Sequence, residues 1–281
     1  MQNKTKNTLF WGVHAQPGKG LRILFAFLPF LLLLIVYMLA SEVRHNNNPN
    51  DKLLPRISQM GDAVQKIAFT EDKRTGKYLM LQDTVSSLRR LLIGVSLAAL
   101  TGLLLGLNLG LFPGFNAMFN PFITFISMVP PLAILPILFI SFGVDELAKI
   151  MLIFIGVFPL VTRDIRLTVN KMPREQITKA ATLGATQLQL AYKILLPQIL
   201  PRLIEAIRLT LGAAWLFLIA AEAIASSDGL GYRIFLVRRY LAMDIILPYV
   251  LWITFLGFSF DMLLKLSLKW FFPWYSGEEN R

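Results

Sequence analysis

Residues 179–201 read KAATLGATQLQLAYKILLPQILP, a polar, glycine-punctuated stretch with helical patterning set between two of the most apolar segments of the chain. Just before it, Pro173 stands where a first helical turn tolerates proline, and Glu175 lies near the positive end of the helix dipole. That helix is expected to run to Leu183, where Gly184 supplies a flexible or left-handed corner. Thr186 and Gln189 then match the capping box Thr-x-x-Gln and open a second helix, on which Leu188, Ala191, Tyr192 and Leu195 share a face. Pro197 is expected to stop this helix and Pro201 to start the next apolar one. An apolar face on a short helix projecting into water needs cover, which its own bundle, lipid headgroups or a groove in a soluble partner can each provide.

Everything around this stretch is built for lipid. Of 281 residues, 55% are hydrophobic and 16% charged, and the mean hydropathy is +0.58, a balance uncommon in soluble domains. A hydrocarbon core about 30 Å thick needs roughly 20 apolar residues of helix. About six segments meet that standard, at 21–40, 89–111, 118–142, 146–168, 203–225 and 245–268. The expected fold is all-α, a polytopic membrane bundle of about six transmembrane helices. Its expected divisions are a tail at 1–20, an anchor at 21–40, an extracytoplasmic amphipathic segment at 41–88, a core at 89–270 holding the loop 170–201, and a tail at 271–281. The 21–40 run follows basic residues as an export signal does, but it is too long and Met38 spoils a small-residue cleavage site, so it reads as a retained anchor.

The formal charge of +11 does not indicate nucleic acid, because the basic residues are scattered between apolar runs instead of forming one polar face. With no cysteine, and with His14 and His45 both outside the apolar runs, neither a metal site nor a catalytic constellation is expected. Basic residues around the opening stretch (Arg163, Arg166, Lys171, Arg174, Lys179, Lys193, Arg202, Arg208) place it in the cytoplasm, and six spans then place both termini there. In the 41–88 segment acidic residues nearly match the basic ones, and LLPRISQMGDAVQKIAF has the spacing of a surface-lying amphipathic helix.

Inside the spans, NPFITFISMVPPLAILPILFISFG carries Pro121, Pro130, Pro131 and Pro136. It is either a kinked packing helix or one that lines a pathway, with Met128, Pro130 and Pro131 as pathway candidates. Gly94, Ala98, Gly102, Gly106 and Gly110 recur at helical spacing and suit close helix packing. Glu222, in AAEAIASSDGLGY, is either a pathway carboxylate or one that ties a helix end. Asp261 and Lys265 have the spacing of an ion pair, Arg163 and Asp164 read as an interfacial cluster, and Arg233, Arg238 and Arg239 are free to meet an anion, an acidic protein rim or lipid phosphate.

At AATLGATQLQLAYKILLP the sequence resembles the cytoplasmic loop of permease subunits of binding-protein-dependent ABC importers, whose pattern is Glu-Ala-Ala, three residues, Gly, nine residues, Ile-x-Leu-Pro. Ala180, Gly184, Ile194, Leu196 and Pro197 fall on it in register, while Thr178 and Lys179 replace the usual Glu and first Ala. VPPLAILPILFISFGVDELAKI, AAEAIASSDGLGY and FLGFSFDMLLK look like stretches of the nitrate, taurine, sulfonate and bicarbonate branch, so the likeness extends from about Leu53 to Trp274.

The resemblance implies a plasma-membrane permease that pairs with a second copy and carries a small anion delivered by a solute-binding protein. Its loop is implied to be a coupling helix seated in a separate ATPase subunit, which holds ATP and Mg. This chain has no phosphate loop of its own, since TGKY near Gly76 lacks both the spaced first glycine and the hydroxyl residue after Lys77. A secondary transporter would show paired broken helices in repeated halves, and an intramembrane enzyme would show a nucleophile and base within spans. A non-ABC secondary transporter and a permease-like scaffold or regulator are the alternatives.

Overall fold

The computed structural model describes residues 18–49, 51–72 and 76–275. Most of both expected tails, and residues 73–75 of the expected TEDKRTGK turn, lie outside the described residues. Among the described residues the fold is helical: α1 (Lys19–Asn47), α2 (Ile57–Ala68), α3 (Leu79–Leu111), α4 (Pro113–Met128), α5 (Leu135–Phe142), α6 (Glu146–Asn170), α7 (Arg174–Thr182), α8 (Gln187–Ile224), α9 (Leu230–Arg238) and α10 (Met243–Phe271).

The centre is α6, held between α3 and α8. Leu152, Ile153, Val157, Val161 and Ile165 on α6 expose no surface. The small-residue stripe of α3 makes the close approach possible: a methyl group at Gly94 would lie 2.8 Å from Ile153 Cβ, at Gly102 2.8 Å from Val161 Cγ1, and at Gly106 2.7 Å from Ile165 Cβ. Side chains at these positions would force the helices apart, so the packing expected of the stripe is what the structure has.

Three expected boundaries are corrected. α3 begins at Leu79 instead of 89, because Asp83, Ser86, Ser87, Arg89 and Arg90 lower the local hydropathy without leaving the helix. The expected span 118–142 is not one helix: α4 and α5 meet at an 83° bend around Val129, Pro130 and a 3₁₀ turn, Pro131–Ile134. Two successive prolines remove two N–H donors and break the α register there. Finally, Pro197 does not stop a helix and Pro201 does not start one; α8 runs through both. A π-helical turn, Leu190–Leu195, widens the spiral first, so Pro197 falls in the opening turn of the α-helical stretch, where its missing donor is no loss.

Four helices, Gly20–Asn47, Leu79–Leu111, Gln187–Ile224 and Met243–Phe271, are long and apolar enough to cross a membrane, and a fifth span results if α4 and α5 count as one bent pair. α6, also expected as a span, falls outside this set because Glu146, Lys149, Arg163, Asp164 and Arg166 crowd its ends. α1 leaves its apolar body largely exposed and is fastened near its C-terminal end. Tyr37 Oη donates to Pro55 O at 2.6 Å, Ser41 Oγ donates to Leu54 O at 3.0 Å, and Arg44 pairs with Asp51. The α2 helix is amphipathic as its spacing predicts, with Ala63 buried and its apolar side against α3 and α10.

Candidate functional site: a helical elbow and a buried ion cluster

The opening stretch forms an elbow. α7 ends where Gly184 takes φ +81°, and the corner closes with two bonds, Ala185 N–H to Ala180 O at 3.1 Å and Gly184 N–H to Ala181 O at 3.0 Å. This is the paired pattern that satisfies the last carbonyls of a helix and needs a left-handed residue at the glycine. Two residues later the capping box is complete: Gln189 N–H donates to Thr186 Oγ1 at 3.3 Å, and Thr186 N–H donates to Gln189 Oε1 at 3.0 Å. The corner is therefore fixed from both sides by local bonds.

The expected single face of the second helix divides. Ala191 and Leu195 are buried against the bundle, with Ala180 of α7, whereas Leu188 and Tyr192 are 68% and 48% exposed and Leu183 at the corner is 81% exposed. The π turn changes the angular spacing after Gln189, and so separates residues that a regular α-helix would align. Ile194 and Leu196 are half-buried, Pro197 is exposed, and Thr178 and Lys179 point outward on α7. Beneath the elbow, Arg202 binds Asp164 of α6 at 2.7 and 2.9 Å and Glu205 at 2.9 Å, and Arg208 binds Asp261 of α10 at 2.8 Å. The hydrogen-bonded partner of Asp261 is thus Arg208, across helices, and not Lys265, whose spacing suggested an ion pair.

At the far end of α8 lies a cluster that the sequence reading did not assemble. Arg90, buried on α3, engages all its donors: Nε donates to Glu146 Oε2 at 2.7 Å, Nη1 to Glu222 Oε1 at 2.7 Å and Asp228 O at 3.0 Å, and Nη2 to Glu146 Oε1 and Asp228 Oδ1, both at 2.5 Å. Glu222, with no exposed surface, also accepts from Ser87 Oγ at 2.8 Å and from Gly231 N–H at 2.9 Å. Next to them, Asp83 accepts from Arg233 Nε at 2.8 Å, Tyr249 Oη at 3.0 Å and Gly229 N–H at 3.0 Å. Burial acts to raise the Asp228 carboxyl, but hydrogen bonds from Arg90 and Ser86 outweigh it and hold the group below its ordinary range.

Charges this deep survive only when paired and hydrogen-bonded throughout. Glu222 therefore takes the helix-tying role of its two readings, and Arg233 is not free to meet an anion. Met128, by contrast, is 74% exposed at the α4–α5 break, with Pro130 and Pro131 forming the break itself. Asp83, Ser87 and Arg90 were legible as polar residues at helical spacing in line with Gly94, but their partners lie 56 or more residues away in sequence.

Residues 98–277 match the family described as the binding-protein-dependent transport system inner membrane component. The chain belongs to this family. Among its relatives, the taurine transport system permease protein TauC of Escherichia coli (strain K12) is 32% identical over 194 residues, covering 69% of this chain and 70% of TauC. The bicarbonate transport system permease protein CmpB of Synechococcus elongatus is 32% identical over 191 residues, covering 67% and 68%. In fold, the chain is similar to a structure of the MetNI methionine ABC transporter in an inward-facing conformation, with TM-score 0.56 and 20% identity over 67% of this chain and 96% of that one. This permease is thus a multi-pass inner-membrane subunit of an ATP-driven importer. It is not itself an enzyme; ATP hydrolysis belongs to a separate subunit, and a solute-binding protein is the third component.

Proposed function

We propose that two copies of this permease form the pathway for a small anion of the sulfonate or bicarbonate kind, and that the elbow 171–196 is seated in a cleft of the ATPase subunit. ATP and Mg are held by that subunit. The observation that carries the reading is the exposure of Leu183, Leu188 and Tyr192 on a corner fixed by its own capping bonds. A rigid elbow that presents apolar side chains to water is a helix-in-groove ligand. Ala180 and Gly184 set its angle, Ala191 and Leu195 join it to the bundle, and Ile194, Leu196 and Pro197 form its junction with α8.

The basic residues flanking the elbow support a cytoplasmic position for it and for both termini, with the 41–88 segment outside. Lipid covers the exposed apolar body of α1. Met128, Pro130 and Pro131 line the pathway, where an exposed break in a helix is tolerated beside a cavity. ATP-driven closure of the partner subunits then moves the elbow as a lever and opens the cavity outward. The anionic substrate rests on the names of the taurine and bicarbonate relatives. The test is uptake by the complete transporter in liposomes, with taurine, other sulfonates, nitrate and bicarbonate screened for stimulated ATP hydrolysis. The Leu188→Asp/Tyr192→Asp double variant is expected to abolish coupled uptake, and uptake at the native rate would contradict the elbow's role.

A further inference from the structure

An importer must pass a signal between a solute-binding protein on one face of the membrane and an ATPase on the other, and here a single helix reaches both ends. α8 begins at the Thr186 cap in the elbow and continues through Glu222 as one 38-residue helix, about 57 Å at 1.5 Å per residue. Near the elbow it is braced to α6 through Arg202–Asp164 and to α10 through Arg208–Asp261.

Its far end is fastened to α9 in an unusual way. The first amides of a helix lack intrahelical partners, and here three successive ones are each met by another helix. Gly229 N–H donates to Asp83 Oδ1 at 3.0 Å, Leu230 N–H to Ser87 Oγ at 2.8 Å, and Gly231 N–H to Glu222 Oε2 at 2.9 Å. Asp83 and Ser87 belong to α3, and Glu222 to α8. Two of these acceptors, Asp83 and Glu222, bring negative charge to the positive end of the α9 dipole. Only glycine fits at Gly229, which has φ +113° and whose added methyl would lie 2.5 Å from the Glu222 carboxylate carbon. The other end of α9 carries an exposed tip, Arg238 to Leu241, on which Tyr240 is 71% exposed and Leu241 holds φ +54°.

We infer that α8 is a rigid strut between the elbow and α9, and that Ser87 and Glu222 are positioning residues that lock its outer end, so that a binding protein docked on the tip Arg238–Leu241 and an ATPase gripping the elbow act on one body. This rests on the elbow being the ATPase contact. Ser87 acts at the centre of the lock, since its hydroxyl donates to Glu222 and accepts from Leu230. The lock joins residues inside the matched family region to Asp83, Ser87 and Arg90, which precede it.

The absence of cysteine lets labels be placed cleanly. Spin labels at Gln187→Cys and Arg239→Cys, in complete transporter with labelled copies diluted among unlabelled ones, read the elbow-to-tip distance. One distance, the same with and without ATP, is expected, and a distance that changes between these states overturns the strut. In the same complex, Ser87→Ala is expected to leave basal ATP hydrolysis and retention of the ATPase subunit unchanged while stimulation by substrate-loaded binding protein falls about fivefold or more. Ser87→Thr, which keeps the hydroxyl, is expected to restore it. Native stimulation in both Ser87→Ala and Glu222→Gln overturns the lock. The two readings fail separately: a Leu188→Asp/Tyr192→Asp complex that keeps its ATPase subunit sinks the elbow contact, whereas the label distance judges the strut alone.

Discussion

Arg90 and Glu222 show how a single residue can be decided by neighbours that are remote in sequence. As an isolated carboxylate near a span end, Glu222 was readable equally as a pathway group or as a tie. Arg90, Ser87 and the Gly231 amide decide for the tie. Removing one member of a buried ionic set leaves the others unpaired, so Arg90→Met is expected to cost about 3–5 kcal/mol of stability, measured as a fall in the melting point of purified protein. Gly229→Ala is expected to cost about 1–3 kcal/mol from backbone strain alone, with the Glu222 contact adding to it. Small-residue packing was legible because its period lies within one helix, whereas the ion cluster joins residues 83–90, 146, 222 and 228–233, which no local pattern links.

Among the elements, local chemistry was the most readable part. Gly184 and the Thr186–Gln189 pair foretold the corner because their bonds close within a few residues. Thr186→Ala is expected to cost about 1 kcal/mol of local stability and to speed amide exchange at Gln189. The π turn was not readable: Pro197 looks like a stop until the preceding spiral widens, and composition carries no mark of that. The fastening of α1 offers a pH test. The Arg44 hydrogen bond, with one from Leu53 N–H, holds the Asp51 carboxyl below its ordinary 3.8. A depressed carboxyl stabilises the native pairing above that value and ceases to do so as pH falls through the lowered one. Proteolysis at residues 51–56 should therefore rise only in acid, whereas Asp51→Asn should be cut readily at neutral pH as well.

For the molecule as a whole, hydropathy located the apolar helices and the family resemblance gave the function, but neither showed how the helices are coupled. Apolar runs give length, while the joint between α8 and α9 depends on polar atoms that hydropathy counts against a span. The structure combines a braced frame, α3 with α6, α8 and α9, and a broken pair, α4 with α5, that leaves large apolar side chains exposed. Motion during transport is accordingly expected at the break. Hydrogen exchange around Val129–Ile134 should change between nucleotide states more than exchange in the frame does.

The central claim is that the elbow is the surface through which the ATPase subunit drives this permease. Its most direct test is a photo-reactive side chain at Leu188 in membranes holding the complete transporter during turnover. The expected product is a cross-link to the ATPase subunit; adducts confined to lipid or to the permease's own helices would contradict the claim.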